Sequence, residues 1–163
     1  MLLRELFPEI FKKEIKEGDF CVLNILAFFE KTNFLLASES KNTSKLKFRP
    51  IIIFEVDNES VKFFATTTYP LTRKNRPKIS LKGCKFFKNK DECFGIDIKR
   101  KFSWIFAKKT SKKKRYRVFY TVDIHTLKEL KKENLLEICG NCRDVLKDIE
   151  KKIYELGEIY EHT

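Results

Sequence analysis

The chain has 163 residues, of which 42% are hydrophobic and 36% charged, and a net charge of +12. This length suits one domain with a core of its own and is too short for two. Phe alone contributes 16 residues to such a core, and only 5 Gly and 4 Pro argue against a disordered or low-complexity chain. We therefore treat residues 1–163 as a single domain.

Targeting and membrane signals are not recognisable in the sequence. The first ten residues contain Glu5 and Glu9 within their apolar part, which is atypical of a secretory signal. The longest apolar run, Phe20–Phe29, is about half of the roughly 20 residues that a bilayer span needs. We expect a soluble, cytoplasmic protein without a membrane partner.

The N-terminal half is predicted to form one helix followed by strands. Pro8–Gly18 places Ile10, Phe11 and Ile15 on one helical face, and Gly18 can end that helix. The patterns that follow predict a strand over Phe20–Phe29, a second strand pairing with it over residues 33–38, and a polar loop over Ser38–Lys47. After this loop we expect a hairpin: a buried strand over Ile51–Val56, a turn over residues 57–60 and a partner strand over Val61–Tyr69.

The C-terminal half predicts shorter strands and a closing helix. Strands are expected over residues 79–87, 102–107 and 116–124, and a helix from Val145 to Tyr160 with Asn141 as its N-cap. Short, closely spaced strands with a packing helix favour a mainly β protein with helices (α+β), built as a small curved barrel or half-barrel. Its parts are a helical extension over 1–17, a barrel over 18–125 with a basic insert at about 82–117, and a helical part over 126–163.

The five cysteines leave several interpretations open. An odd count in a chain expected in the cytoplasm argues against a disulfide framework, and Cys21 fits a buried strand position. Cys84 and Cys93 with the pair Cys139 and Cys142 could supply four thiolates to zinc, but the spacing of Cys84 and Cys93 is not that of a tight zinc pair. Cys-Gly-Asn-Cys also resembles a redox motif. We expect it to open a helix after a helical or turn segment, which is not the redox context.

Positive charge is concentrated in one segment of the chain, Arg73–Arg117, which we call the basic segment. Between Arg73 and Arg117 there are 18 Lys/Arg and 3 Asp/Glu, whereas residues 1–72 are neutral and 118–163 are slightly acidic. Lys108–Arg117 alone contains seven basic residues in ten. Such a field attracts polyanions, although a lysine-rich solvated surface gives the same composition.

Aromatic residues lie between the basic ones, which favours single-stranded nucleic acid as the partner. Phosphates can follow the Lys and Arg side chains while bases stack on aromatic rings. The RNA-binding candidates are Lys47, Arg73, Lys74, Arg76, Lys78, Lys112, Lys113, Lys114, Arg115 and Trp104. The sequence contains no Walker A, dinucleotide-binding, zincin or nucleophile-elbow motif, and its two histidines do not suit a histidine-pair ribonuclease.

Arg49 and Thr72 are the candidate catalytic residues. The predicted hairpin returns the end of its second strand, Tyr69–Thr72, to the start of its first, so we expect Arg49 and Thr72 to be neighbours. A guanidinium can clamp a phosphate and stabilise its dianionic transition state, and a hydroxyl beside it can donate a hydrogen bond. The alternative is a strand that starts with Arg-Pro and a threonine that lies in a turn.

Short motifs give the chain a family resemblance. Gly18-Asp19 before a strand, Arg49-Pro50 before IIIFEV, TTTYPLT at Thr66–Thr72 and the C-terminal stretch Val122–Ile153 resemble the MazF/PemK family of toxin ribonucleases. The resemblance implies an SH3-like barrel that forms a homodimer, cuts single-stranded RNA without a metal or cofactor, and is neutralised by a small antitoxin protein. It implies that Arg49 is the catalytic arginine and Thr72 the catalytic threonine.

The chain also departs from the family pattern. It adds an N-terminal helix before Gly18, lacks a glycine in the loop before Arg49, and carries a longer basic insert over Lys82–Arg117. Two other functions therefore stay open: a nucleic-acid-binding module without catalysis, and a docking domain for an acidic protein.

Overall fold

The computed structural model describes residues 14–36, 47–67, 78–81, 83–85, 92–93, 96–97, 104–106, 108–109, 115–156 and 158–162. The strands within these ranges are β1 (Asp19–Asn24), β2 (Phe48–Val56), β3 (Ser60–Thr67), β4 (Lys78–Ser80), β5 (Glu92–Cys93), β6 (Ile96–Asp97), β7 (Trp104–Phe106), β8 (Lys108–Lys109), β9 (Arg115–Asp123), β10 (Leu136–Asn141) and β11 (Glu158–His162). The helices are α1 (Ile25–Thr32), α2 (Ile124–Lys132) and α3 (Leu146–Glu155), the last preceded by a 3₁₀ turn at Arg143–Val145.

Five strands form an antiparallel sheet in the order β10-β1-β2-β3-β9. Short strands extend it: β7 pairs with the end of β3, β4 pairs with β7, β8 pairs with β9, and β11 runs parallel to β9. The strands β5 and β6 form a separate two-stranded sheet. Within the described ranges no pairing joins β10 to the opposite end of the sheet, so the architecture is a mixed α+β fold around an open sheet.

Strand β2 is buried on both faces, which divides the protein into two hydrophobic cores. Ile51 and Ile53 face the first core, where Phe28 of α1 and Leu127 of α2 cover the sheet. On the opposite face, Ile52 packs in a second core with Ile149 of α3. A continuous apolar run such as IIIF is typical of a strand covered on both sides.

The apolar run Phe20–Phe29 is half strand and half helix, so the prediction of one strand was wrong. The Asn24 side chain accepts a hydrogen bond from the Ala27 backbone N–H at 2.9 Å and caps α1, which ends at Asn33 in the left-handed region. An apolar run of this length fits a buried strand and a buried helix equally well, and the cap decides between them. The pairing strand predicted over residues 33–38 is also wrong, because residues 33–36 have no regular structure.

The prediction for the central hairpin is confirmed. The Asp57 backbone N–H donates to the Ser60 carbonyl at 2.8 Å, and β2 and β3 pair from Ile51–Ala65 to Val56–Val61. Strand β7 lies within the segment predicted for it, and β9 overlaps its predicted segment. Strand β4 covers only the start of the strand predicted over residues 79–87, because residues 81 and 83–85 are not in a strand. The helix predicted over Pro8–Gly18 lies mostly outside the described residues, and its end differs: residues 14–16 are irregular and Glu17-Gly18 form a turn.

The C-terminal part contains two strands that the sequence analysis assigned to helix or turn. Cys139 lies in β10, and α3 begins only at Leu146. The Asn141 side chain accepts from the backbone N–H of Arg143, the first residue of the 3₁₀ turn, at 2.8 Å, and it does not cap the helix. Tyr160 lies in β11 and not on the helix, which ends at Glu155 shortly before the weak helix former Gly157. None of the described helices is long and apolar enough to cross a membrane.

The expectation against disulfides was wrong, because Cys84 is bonded to Cys142 and Cys93 to Cys139. The fold brings their Cα atoms to 5.4 and 5.6 Å, the separation that a disulfide requires. Intracellular proteins of hyperthermophiles also contain disulfides, so an expected cytoplasmic location does not exclude them. Cys21 takes part in no disulfide and is buried in the first core, as expected. No group of three or more ligand side chains in the described ranges is placed to hold a metal.

Gly18 joins three elements at the start of β1. Its N–H donates to the Ile53 carbonyl and its carbonyl accepts from the Cys142 N–H, both at 2.7 Å. Its φ of +85° is strained for any other residue, and a Cβ there would lie 2.6 Å from the Arg143 backbone nitrogen. The neighbouring Asp19 is 3% exposed and accepts hydrogen bonds from the Lys16 backbone and from the Asn141 side chain. The Gly-Asp pair therefore fixes β10 and the 3₁₀ turn to the sheet.

We expect Gly18→Ala to lower the free energy of unfolding by about 2–4 kcal/mol, because backbone strain and a clash with backbone atoms add up. Gly83→Ala is the matched control, since a Cβ there meets only the Val145 side chain, at 3.6 Å. Urea denaturation of both variants measures the difference. Equal stability of the two variants would contradict this account of Gly18.

Candidate functional site

Arg49 lies near the start of β2, where the sheet meets the basic segment. It is paired with Leu23 of β1 and is half-buried. Its Nη1 donates a hydrogen bond to the Thr66 carbonyl of β3 at 3.2 Å. This bond holds the guanidinium across the start of one strand and the end of its neighbour.

Thr66 makes a second hydrogen bond to the start of β2. It is fully buried, and its Oγ1 donates to the Pro50 carbonyl at 3.0 Å. The carbonyl of Pro50 and the side chain of Arg49 are thus both tied to one residue of β3. Two bonds between the same short segments restrict the position of Arg49 more than either bond alone.

Strand β3 brings this contact next to the basic segment. It pairs with β9 as far as Phe64, and from Thr66 onward with β7, where Thr66 lies opposite Ile105. Ile105 in turn lies opposite Ile79 of β4. Strands β4 and β7 both belong to the segment Arg73–Arg117. The guanidinium of Arg49 therefore contacts Thr66, the residue at which β7 of that segment joins the sheet.

The other predicted site residues are only partly within the described ranges. Lys47 is exposed, and its carbonyl accepts from the Ile25 N–H at the start of α1. Lys78, Trp104 and Arg115 are placed by their backbones in β4, β7 and β9. Outside the described residues are Thr72, Arg73, Lys74, Arg76, Lys112, Lys113 and Lys114. The proximity of Arg49 and Thr72 therefore stays a prediction.

Two further residues of this region were not singled out by the sequence analysis. Thr66 was hidden within the run TTT, and only strand register distinguishes it from its neighbours. Arg117 was counted as one basic residue among 18, yet its guanidinium stacks over the Tyr120 ring at 5.6 Å. Its buried Nε has no hydrogen-bond partner among the residues that the structure describes. A single charge inside an apolar-polar alternation was the available signal for Arg117.

A separate cleft lies on the other face of the sheet. It has a volume of about 450 Å³ and lies between α3 and the β2–β3 hairpin, with Phe54 and Tyr154 in its wall. Its charged residues are of both signs: Glu17, Glu55, Asp144 and Glu150 with Lys62, Arg143 and Lys147. Arg49 and Thr66 do not line it, so we place the candidate chemistry at the start of β2 and not in this cleft.

Comparison with known proteins gives no family assignment. No protein-family model matches the chain. No curated protein and no solved structure matches it either. The MazF/PemK resemblance therefore rests on the motifs of the sequence alone.

Replacing the Thr66 hydroxyl tests its hydrogen bond to the Pro50 carbonyl with little change in side-chain size. We expect Thr66→Val to lower the free energy of unfolding by about 1–3 kcal/mol, because the Pro50 carbonyl loses its buried donor. Thr66→Ser keeps the hydroxyl and is expected to retain more of the stability. Urea denaturation measures both variants, and a valine variant as stable as the wild type would contradict the role given to this hydroxyl.

Proposed function

We propose that this protein is an endoribonuclease of the MazF/PemK toxin type that cleaves single-stranded RNA without a metal or cofactor. The observation that carries the proposal is the position of Arg49, whose guanidinium contacts Thr66 where the strands of the basic segment join the sheet. The proposal includes the finer architecture, an SH3-like barrel that forms a homodimer, and a cytoplasmic location with a small acidic antitoxin protein as partner.

The proposed reaction uses the RNA as its own nucleophile. The 2′-oxygen attacks the adjacent phosphorus and loses its proton, and the 5′-oxygen of the next nucleotide leaves and gains one. The products are a 2′,3′-cyclic phosphate and a free 5′-hydroxyl. Arg49 stabilises or protonates the phosphate oxygens as their charge increases, and Thr72 donates a hydrogen bond to the same group.

RNA binding is assigned to the basic segment. Eighteen Lys/Arg between Arg73 and Arg117 neutralise phosphates, and most of the affinity comes from the counterions that this releases. Bases stack on aromatic side chains of the same segment, for which Trp104 in β7 is the first candidate. Arg49 then supplies chemistry rather than affinity.

A nucleic-acid-binding module without catalysis is the second candidate function. The observation in its favour is the hydrogen bond from Arg49 to the Thr66 carbonyl, which gives this side chain a structural task inside the protein. A docking domain for an acidic protein is a third candidate, and it requires that nucleic acid does not bind at physiological salt.

We expect the purified protein to cut a long single-stranded RNA into discrete fragments in the presence of EDTA. Arg49→Ala should abolish cleavage, while its RNA affinity stays within about threefold because the remaining basic residues supply the charge. Arg143→Ala is the matched control, because Arg143 is an exposed arginine on the cleft side of the sheet. A denaturing gel and the end groups of the fragments report the reaction.

Two results would contradict the proposal. Cleavage that survives in Arg49→Ala removes Arg49 from the chemistry, and intact RNA with a salt-sensitive gel shift identifies a binding module. The salt dependence is informative in itself, since log K falls by about 0.7 per phosphate contact for each tenfold rise in salt with single strands.

A further inference from the structure

The described residues between β4 and β7 pair with no strand of the main sheet, and this stretch carries a large part of the positive charge. Residues 82–103 contain seven Lys/Arg and three Asp/Glu. We call this stretch the basic excursion. Its described portions are 83–85, 92–93 and 96–97, and each of its two cysteines, Cys84 and Cys93, is bonded to the end of β10 or to the residue after it.

The small sheet inside the basic excursion has little support of its own. Strands β5 and β6 have two residues each and pair only with each other in the described part of the chain. A two-stranded hairpin is at best marginally stable in water. The bond from Cys93 to Cys139 connects this hairpin covalently to the main sheet.

Cys84 and Cys93 both pack in the second core, and the described backbone contacts of the excursion lie near Cys84. The Cys84 N–H donates to the Leu81 carbonyl at 2.9 Å, and the Lys85 N–H makes a long, exposed contact of 3.4 Å with Asp144. Leu81 and Cys84 pack in the second core with Cys142 and Leu146. The two bridges therefore connect the excursion to residues far along the chain: Cys93 to Cys139, at a separation of 46 residues, and Cys84 to Cys142, at a separation of 58.

We propose that the two disulfides form a redox-dependent clamp on the basic excursion, which sets its position and thereby the strength of RNA binding. Each bridge takes two electrons and two protons from a dithiol reductant, which becomes a disulfide itself, and leaves two cysteine thiols in the protein. The effect on RNA rests on the proposed function, whereas the clamp on the excursion does not.

Release of the clamp weakens RNA binding through entropy and charge placement. In the oxidised protein the bridges hold Cys84 and Cys93 at Cys142 and Cys139 before RNA arrives, and this covalent connection limits how far the chain beside them can move. In the reduced protein the excursion must be ordered during binding, and that cost reduces affinity. Cys93–Cys139 is expected to open first, because its cysteines are 5% and 4% exposed whereas Cys84 and Cys142 are fully buried.

The first experiment counts thiols and metal in the purified, unreduced protein. After denaturation, a thiol reagent should find one free thiol per chain, Cys21, and five after reduction. Five free thiols together with one equivalent of bound zinc would overturn the proposal and assign the four cysteines to a metal site.

The second experiment follows trypsin cleavage of the oxidised and reduced protein by mass spectrometry. Cleavage at Lys85–Lys101 should become about tenfold faster on reduction, because local opening exposes that segment, while far-UV circular dichroism stays unchanged. The double variant Cys93→Ser/Cys139→Ser should be cleaved quickly in both states, and Cys21→Ala should behave as the wild type. Equal cleavage rates in both states, or loss of all secondary structure on reduction, would overturn a local clamp.

The third experiment measures RNA affinity by fluorescence anisotropy with a labelled single-stranded RNA. We expect affinity to fall about tenfold on reduction and in the double variant, with a smaller salt slope because fewer phosphates are contacted. Equal affinity in both states overturns the effect on RNA. Absence of RNA binding in both states, with trypsin cleavage still dependent on reduction, refutes the proposed function and leaves the clamp standing.

Discussion

Burial of β2 on both faces is the constraint on which the rest of the structure depends. Three consecutive isoleucines in one strand alternate between the two sides of the sheet, so neither side can be left to water. Each side then needs a cover of its own. Helices α1 and α2 supply the first, while α3 and the strand β4 supply the second.

The second core anchors the basic segment to the rest of the protein. Ile79, Leu81 and Ile105 are among the apolar residues that anchor this strongly charged segment, and they pack in the same core as α3. A lysine-rich chain by itself has too little apolar surface to fold. The strand β7, which pairs with β3 at Thr66, and the bridges to Cys139 and Cys142 attach this segment to the rest of the fold.

The sequence identified the parts of the fold that local pattern determines. The β2–β3 hairpin and β9 have clear periodicity and turn residues, and the structure has them close to where they were predicted, whereas α3 ends at Glu155 and not at Tyr160. The region after Phe20 was misread because a buried helix and a buried strand look alike over ten apolar residues, and only the cap at Asn24 separates them. Strand β10 was missed since short acidic and cysteine-containing strands have weak propensity signals.

The candidate site was predictable only in its chemistry. Arg49 was singled out because a charged residue before a buried strand is unusual, and the structure gives its contact with Thr66. Neither that contact nor the pairing of the cysteines could be derived in advance, because both depend on register between segments far apart in the chain. Charge counts located the basic segment but could not show that the sheet passes through it.

The connectivity of the bridges has a consequence for how the native protein is obtained. Four cysteines can pair in three ways, and Cys139 and Cys142, as near neighbours in the chain, meet far more often than partners 46 and 58 residues apart. Early oxidation therefore favours the neighbour pair, which must be exchanged before β10 can hold both of its distant partners. A preparation oxidised before it folds will differ from one that folds first, even though the two have the same sequence and mass.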